Sequence, residues 1–176
     1  MQDKLKVAVL GTGQMGSGIV RLLIRKRGLE IVGVYGRRAD RSGLDVGEAI
    51  GHGTKIGVEL TNDLPRMLSS AKPDVVIQAT CSRVEQAAVE IKTAVRGGAN
   101  VISIAEEMAY PSYEAPGLSK EIRKLAVENE VTVVGTGINP GFVLDLLVIA
   151  LTGVCFHVDS ITVSNPSKMG HHTRGI

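Results

Sequence analysis

KVAVLGTGQMG, residues 6–16, opens as an apolar, β-branched run, stops at Gly11 and passes through Gly13 and Gly16 into an amphipathic stretch. The spacing is G-x-G-x-x-G between a strand and a helix. Gly11 permits the tight turn out of the strand. Gly13 lets a pyrophosphate approach the backbone, and Gly16 lets the helix pack against the strand. The free N–H groups at the helix start then face the phosphate charge. Gly11, Thr12, Gly13, Gln14, Met15 and Gly16 are therefore the expected phosphate loop of a dinucleotide site. The plainer alternative is a glycine-rich turn in some other α/β protein. The readable strand before the glycines and the readable helix after them favour the dinucleotide.

Working outward, the elements alternate. Strands are expected at Lys6–Leu10, Glu30–Tyr35, near Lys55–Leu60, Asp74–Ala79, Asn100–Ala105 and Val131–Gly135. Between them, Gln14–Arg27 reads as a helix with Met15, Ile19, Leu22 and Leu23 on one face, stopped by Gly28. A short helix is expected near Asp45–Ile50, and another, capped by Asn62 or Asp63, ends near Ser70. The next carries Val84, Ala88, Ile91 and Val95 inward and ends at Gly97–Gly98. Glu106–Pro116 reads as a short helix plus loop, and Pro116–Glu130 as a helix with Leu118, Ile122 and Leu125 inward. Six strands separated by helical segments predict a doubly wound parallel sheet, a Rossmann dinucleotide-binding fold, in the order 3-2-1-4-5-6. The ligand crevice then lies at the carboxyl ends of strands 1 and 4.

Residues 1–153 are read as this domain. GTGINPGFVLDLLVIALTG, residues 135–153, is apolar nearly all round and expects to be covered by protein. Asp159–Ser164 alternates as a strand should, so 154–176 reads as the beginning of a second, substrate or dimerisation domain. An edge strand beside an uncovered apolar helix predicts a homodimer or larger assembly.

Composition narrows the function classes. A net charge of +2 gives no reason to expect a nucleic acid or other polyanion. With 3% aromatic residues and no tryptophan, a stacking surface for single strands is not expected either. The longest apolar stretch, residues 142–151, is too short to span a bilayer and is broken by Asp145. Cys81 and Cys155 do not make a disulfide framework, and the first residues lack the form of a signal peptide, so a cytoplasmic setting is expected. No metal-ligand set is expected: His52 sits in a glycine loop, and His157, His171 and His172 lie beyond the core.

The end of strand 2 reads VYGRRADR, residues 34–41. The acid that binds ribose hydroxyls in NAD-binding forms is absent from the tip, where Gly36, Arg37 and Arg38 stand. Guanidinium groups bind a 2′-phosphate that a carboxylate would repel. NADP(H) is therefore the preferred cofactor, with Arg37 the first candidate and Arg38 the second. Asp40 leaves NAD possible, and a solvated basic loop is the plainer reading.

Three segments are expected to converge at the crevice. Ala79 and Thr80, followed by Cys81 and Ser82, leave strand 4; Glu106 and Glu107 leave strand 5; residues 135–141 leave strand 6. Cys81 has no base beside it in sequence and reads as a small buried residue or cofactor contact. Asn139–Pro140–Gly141 offers backbone donors and an amide at a helix start, for a cofactor or a carboxyl, or simply as a cap. A carboxylate of the Glu106–Glu107 pair, in a crevice shielded by Met108 and Tyr110, could handle protons. Otherwise the pair is two first-turn acids facing a helix dipole.

IAEEMAYP at 104–111, GTGINPGFVLD at 135–145 and LGTGQMGSG at 10–18 together resemble the 2,4-diaminopentanoate dehydrogenases. These are an NAD(P)-dependent amine dehydrogenase group whose cofactor domain is similar to dihydrodipicolinate reductase. The resemblance covers residues 1 to about 160. It implies oxidative deamination of a small amine substrate on the ornithine degradation route, giving 2-amino-4-oxopentanoate and ammonia. It also implies that a glutamate after strand 5, Glu106 or Glu107, handles protons. Two other readings remain open. One is a dihydrodipicolinate-type reductase, whose basic substrate set and proton-donating histidine are not visible here. The other is an NADP(H)-binding module without turnover.

Overall fold

The computed structural model describes residues 4–162. Six parallel strands form one sheet in the expected order, β3-β2-β1-β4-β5-β6. The strands are β1 (Leu5–Leu10), β2 (Leu29–Tyr35), β3 (Leu60–Thr61), β4 (Val75–Gln78), β5 (Asn100–Ser103) and β6 (Val133–Gly135). The helices are α1 (Gln14–Arg25), α2 (Val46–Ala49), α3 (Leu64–Ala71), α4 (Val84–Arg96), α5 (Pro111–Glu114), α6 (Pro116–Glu128) and α7 (Leu147–Thr152). Short 3-10 turns cover Ala39–Arg41 and Glu106–Ala109.

The alternation of β1 builds both halves of the core, because successive side chains leave a strand on opposite faces. Ala8 and Leu10 pack with Val76, Val101 and the inner faces of α3, α4 and α6. Val7 and Val9 pack with Val34 and with Val20, Leu23, Val46 and Ile50 from the α1 and α2 side. Each large side chain fully buried in this way contributes about 1.5–3 kcal/mol. Val84, Ala88, Ile91 and Val95 are all buried, as their spacing predicts.

The inward face of α1 is rotated from the expected one. Gly16, Val20 and Leu23 are buried, whereas Met15 and Leu22 are exposed. The pivot is Gly16, which lies against the Gly11 carbonyl and so fixes the 16/20/23 stripe on the sheet.

The third strand is two residues long, not the expected six. The residues before it bond within their own loop, much of it through the carboxylate of Asp45. It caps α2 by accepting from the Gly47 N–H at 2.7 Å and also accepts from Ile56 at 3.0 Å and Gly57 at 2.8 Å. The Val46 N–H also donates to the Val58 carbonyl at 2.8 Å, so residues 56–58 bond back to 45–46 rather than along β2.

These bonds, the Ile56 N–H foremost, hold Asp45 below the usual carboxylate pKa, which is about 3.9. A carboxylate whose folded pKa is depressed stabilises the fold fully above its unfolded value and stops doing so as pH falls through the folded one. The thermal midpoint is therefore expected to fall below about pH 3.9. Asp45→Asn is expected to melt lower at neutral pH and to show a shallower acid slope. Equal slopes for the two proteins in pH-dependent melts would contradict this role.

After β6 the chain turns through residues 136–141 and winds irregularly from Ile138 to Leu146 before α7; Asn139, Pro140 and Gly141 are not helical. Residues 154–162 hold no helix or strand, so the expected strand at Asp159–Ser164 does not form over 159–162. Residues 163 and 164, like His171 and His172, lie outside the described residues. Phe142, Leu146, Ile149, Leu151 and Phe156 are exposed, so nothing among the described residues covers this apolar segment. No helix among them is long and apolar enough to cross a membrane.

Candidate functional site

The order of the sheet reverses between β1 and β4, where the connections after the two strands run to opposite sides and a crevice opens. A cavity of about 760 Å³ lies there, lined among others by Gly13, Gln14, Met15, Ala79, Thr80, Glu106, Asn139 and Pro140. Folding thus brings the expected phosphate loop, the β4 exit, the β5 exit and the residues after β6 to one place. Met15 lines this cavity because the rotation of α1 turns it out of the core.

The loop fits a pyrophosphate. Gly11 has φ of +112°, and a Cβ on it would stand 2.5 Å from the Ala79 carbonyl oxygen. A Cβ on Gly16 would stand 2.0 Å from the Gly11 oxygen. Turn, strand end and helix start are therefore in backbone contact. Gly13 is different: a Cβ there meets nothing within 4 Å, so the open space is on the crevice side. No side chain caps α1 and no acid stands in its first turn. Its N-terminal donors and dipole are left to an anion. Thr12 lies beside the end of β2, with its Oγ1 3.2 Å from where a Cβ of Gly36 would be.

The basic residues after β2 differ from one another. Arg37 donates from Nε and Nη2 to one carboxylate oxygen of Glu90, at 3.1 and 2.9 Å, and from Nη2 to Thr80 Oγ1 at 3.3 Å. Burial works against its charge, but the Glu90 carboxylate outweighs this and raises the Arg37 pKa above its ordinary value. Arg38 is exposed and, among the described residues, its side chain pairs only with the exposed Asp40, at 3.4 Å. A second cavity, of about 740 Å³, opens beyond β2 between the start of α3 and α4, lined by Tyr35, Arg37, Asn62, Pro65 and Glu90 among others.

The two glutamates after β5 also separate. Glu107 accepts from the Val84 N–H at 2.8 Å and so caps α4 through its side chain, while its own N–H donates to the Ser82 carbonyl at 3.1 Å. Glu106 is exposed and lines both the crevice and an adjoining cavity of about 510 Å³. That second space also carries Glu107, Tyr110, Glu114, Thr136 and Asp145, so its charged lining is entirely acidic. The expected shield is not formed. Met108 points into the core and Tyr110 is 67% exposed, stacked on Tyr113 instead. Glu106 is positioned by close contact between its turn and β6: a Cβ on Gly135 would overlap the Met108 carbonyl oxygen, at 1.7 Å.

The Asn139–Pro140 bond is cis. One of the donors expected from this turn is used internally, since the Gly141 N–H donates to Asp145 at 2.6 Å, and the next residue's N–H, that of Phe142, donates to the Gly137 carbonyl at 3.0 Å. Asn139 and Pro140 contribute wall rather than a complete anion cradle. Cys81 is half-buried within hydrogen-bond reach of Gln78, at 3.3 Å, in keeping with a small packed residue.

Gln78, Glu90, Glu114 and Asp145 were not singled out in the sequence. Gln78 carried a signal, since it ends the apolar run VVIQ of a strand buried in the sheet centre. Glu90 is one polar residue on a helix with many, and only packing distinguishes it.

The dihydrodipicolinate reductase N-terminus family matches residues 5–103. The 2,4-diaminopentanoate dehydrogenase of Acetoanaerobium sticklandii is 44% identical over 161 residues, covering 90% of this chain and 45% of that protein. An amine dehydrogenase of Streptomyces virginiae is 29% identical, covering 89% of this chain and 44% of that one. The solved amine dehydrogenase of Mycobacterium smegmatis superposes with a TM-score of 0.82 at 30% identity, over 88% of this chain and 45% of that one. The chain spans about half the length of these relatives. Its glycine loop, its six-stranded sheet and the match through the end of β5 place it in the family of the dihydrodipicolinate reductase N-terminal domain.

Proposed function

We propose that this chain is the NADP(H)-binding part of an amine dehydrogenase that oxidatively deaminates 2,4-diaminopentanoate. The observation that carries the reading is Glu106, which stands on the wall shared by the dinucleotide crevice and an acidic cavity. An ammonium substrate is drawn to such a cavity, because its carboxylates lower the energy of a bound cation. The 44% identical relative is named for this activity.

The net reaction converts the C4 amine, water and NAD(P)+ into 2-amino-4-oxopentanoate, ammonia, NAD(P)H and a proton, a degradative step on the ornithine route. The nicotinamide supplies the hydride acceptor when bound. The protein does the rest by placement. Gly11–Gly16 present backbone donors to the phosphates, and Ala79, Thr80, Asn139 and Pro140 wall the crevice. Glu106 holds the ammonium and accepts its proton, since only a neutral amine nitrogen has the lone pair that assists hydride loss. Glu107 orients α4 and its own loop rather than moving a proton. The basic turn after β2 gives the site its preference for a 2′-phosphate.

Calorimetric titration with NADPH and with NADH tests the cofactor reading. Tighter NADPH binding is expected, and no heat with either would overturn it. Amine-dependent reduction of NADP+ is then expected with 2,4-diaminopentanoate. Turnover only with a dihydrodipicolinate-type substrate would favour a reductase, and dinucleotide binding with no turnover on either would favour a binding module.

A further inference from the structure

Glu90 is 5% exposed, on a helix face packed against the sheet. A carboxylate this buried is costly unless it is paired and hydrogen-bonded. Here both oxygens are engaged. One takes the two bonds from Arg37; the other accepts from the Thr80 hydroxyl and from Gln78 Nε2, at 3.4 Å. Gln78, wholly buried, accepts in turn from Ser103 Oγ at 2.6 Å, and that oxygen accepts from the Ala105 N–H at 3.2 Å. No buried side-chain donor or acceptor among the described residues lacks a partner. The carboxylate is therefore held in place from three strand ends, and Arg37, at 47% exposure, is the charged member of the chain that reaches the surface.

The consequence concerns charge. Arg37 and Arg38 both follow β2, but Arg37 is matched by a fixed carboxylate and Arg38 by a loose, exposed one whose pairing is weak. We propose that Glu90 is a specificity-determining residue of the dinucleotide site: it neutralises and holds Arg37, so that discrimination for the 2′-phosphate falls to Arg38. The inference rests on the dinucleotide reading above. It assigns Arg37 to positioning Thr80 and the end of β2. It also explains why a buried acid stands beside a basic loop: the pair moderates the preference for NADP(H) over NAD(H).

The test measures the ratio of NADPH to NADH affinity by titration. Glu90→Gln keeps the side-chain shape and one acceptor oxygen, removes the charge and frees Arg37, so the ratio is expected to rise about tenfold. Arg37→Gln combined with Glu90→Gln swaps a neutral pair for a neutral pair and is expected to stay within about twofold of the unmodified chain. Arg38→Gln, at an exposed position that folding does not depend on, is expected to lower the ratio about tenfold and keeps the test open if the buried variants fail to fold. A ratio that does not rise in Glu90→Gln, falls in the double variant, or is unmoved by Arg38→Gln would overturn the inference while leaving dinucleotide binding intact. Absence of binding in the unmodified chain would overturn the dinucleotide reading itself, and this inference with it.

Discussion

Gly16→Ala is expected to abolish dinucleotide binding and to cost about 3 kcal/mol of stability. The added Cβ would lie 2.0 Å from the Gly11 carbonyl oxygen and 2.6 Å from its carbon. Both are backbone atoms in a tight turn, so no rotamer change relieves the overlap and α1 must move off the sheet. That movement withdraws Val20 and Leu23 from their cluster and turns the helix N-terminus away from the crevice. Two neighbouring glycines supply the controls. A Cβ on Gly18 meets nothing within 4 Å, so Gly18→Ala is expected to fold and bind normally, with the gain of up to about 1 kcal/mol that alanine brings to a helix interior. Gly13→Ala also meets no protein atom and has ordinary extended φ, so it is expected to melt like the unmodified chain yet lose binding, because its methyl occupies the space meant for phosphate. Thermal melts and NADPH titration separate the three. A Gly16→Ala protein with unchanged melting would show that the strand–helix contact is not what holds the loop.

The second large effect is on turnover. Glu106→Gln is expected to lower amine-dependent NADP+ reduction by about 10²–10⁴-fold while leaving NADPH affinity unchanged, since the amide can still hydrogen-bond the amine but cannot take its proton. Glu107→Ala should behave differently. It removes the acceptor of the Val84 N–H and is expected to lower stability by about 1 kcal/mol, the usual effect of losing a helix cap, with a smaller loss of turnover. Should Glu107→Gln prove the inactive variant and Glu106→Gln the active one, the assignment of the proton-handling group would reverse. The two residues are adjacent in sequence and have the same chemistry, so only their surroundings distinguish them.

That distinction marks where local pattern stops being informative. The strand–glycine–helix signal, the alternation of six strands with helices, and the crossover rule were enough to establish the sheet order and the place of the crevice. These depend on near-neighbour sterics and on the handedness common to all right-twisted parallel sheets. The inward face of α4 was equally readable, because four apolar residues at helical spacing leave one solution. The face of α1 was misread, since its apolar residues are broad enough to allow several rotations. Contact between two glycines, not hydrophobicity, chose among them. The third strand was overestimated because residues 56–58 bond back to Asp45 and Val46, a non-local pairing that has no periodicity.

The residues around the site show the same division. Arg37 and Arg38 are indistinguishable as letters. In the folded chain one meets a buried carboxylate contributed by α4, fifty-three positions away, and the other meets solvent and Asp40. Glu107 becomes a cap and Glu106 a free carboxylate because the turn after β5 presents one to α4 and the other to the crevice. Fold class and the glycine loop were legible in the chain because backbone geometry and short-range packing specify them within a few residues. Which charge is neutralised, which acid is free and which donors are already used emerged only from tertiary structure, because electrostatics and hydrogen-bond satisfaction depend on groups that are distant in sequence and adjacent in space.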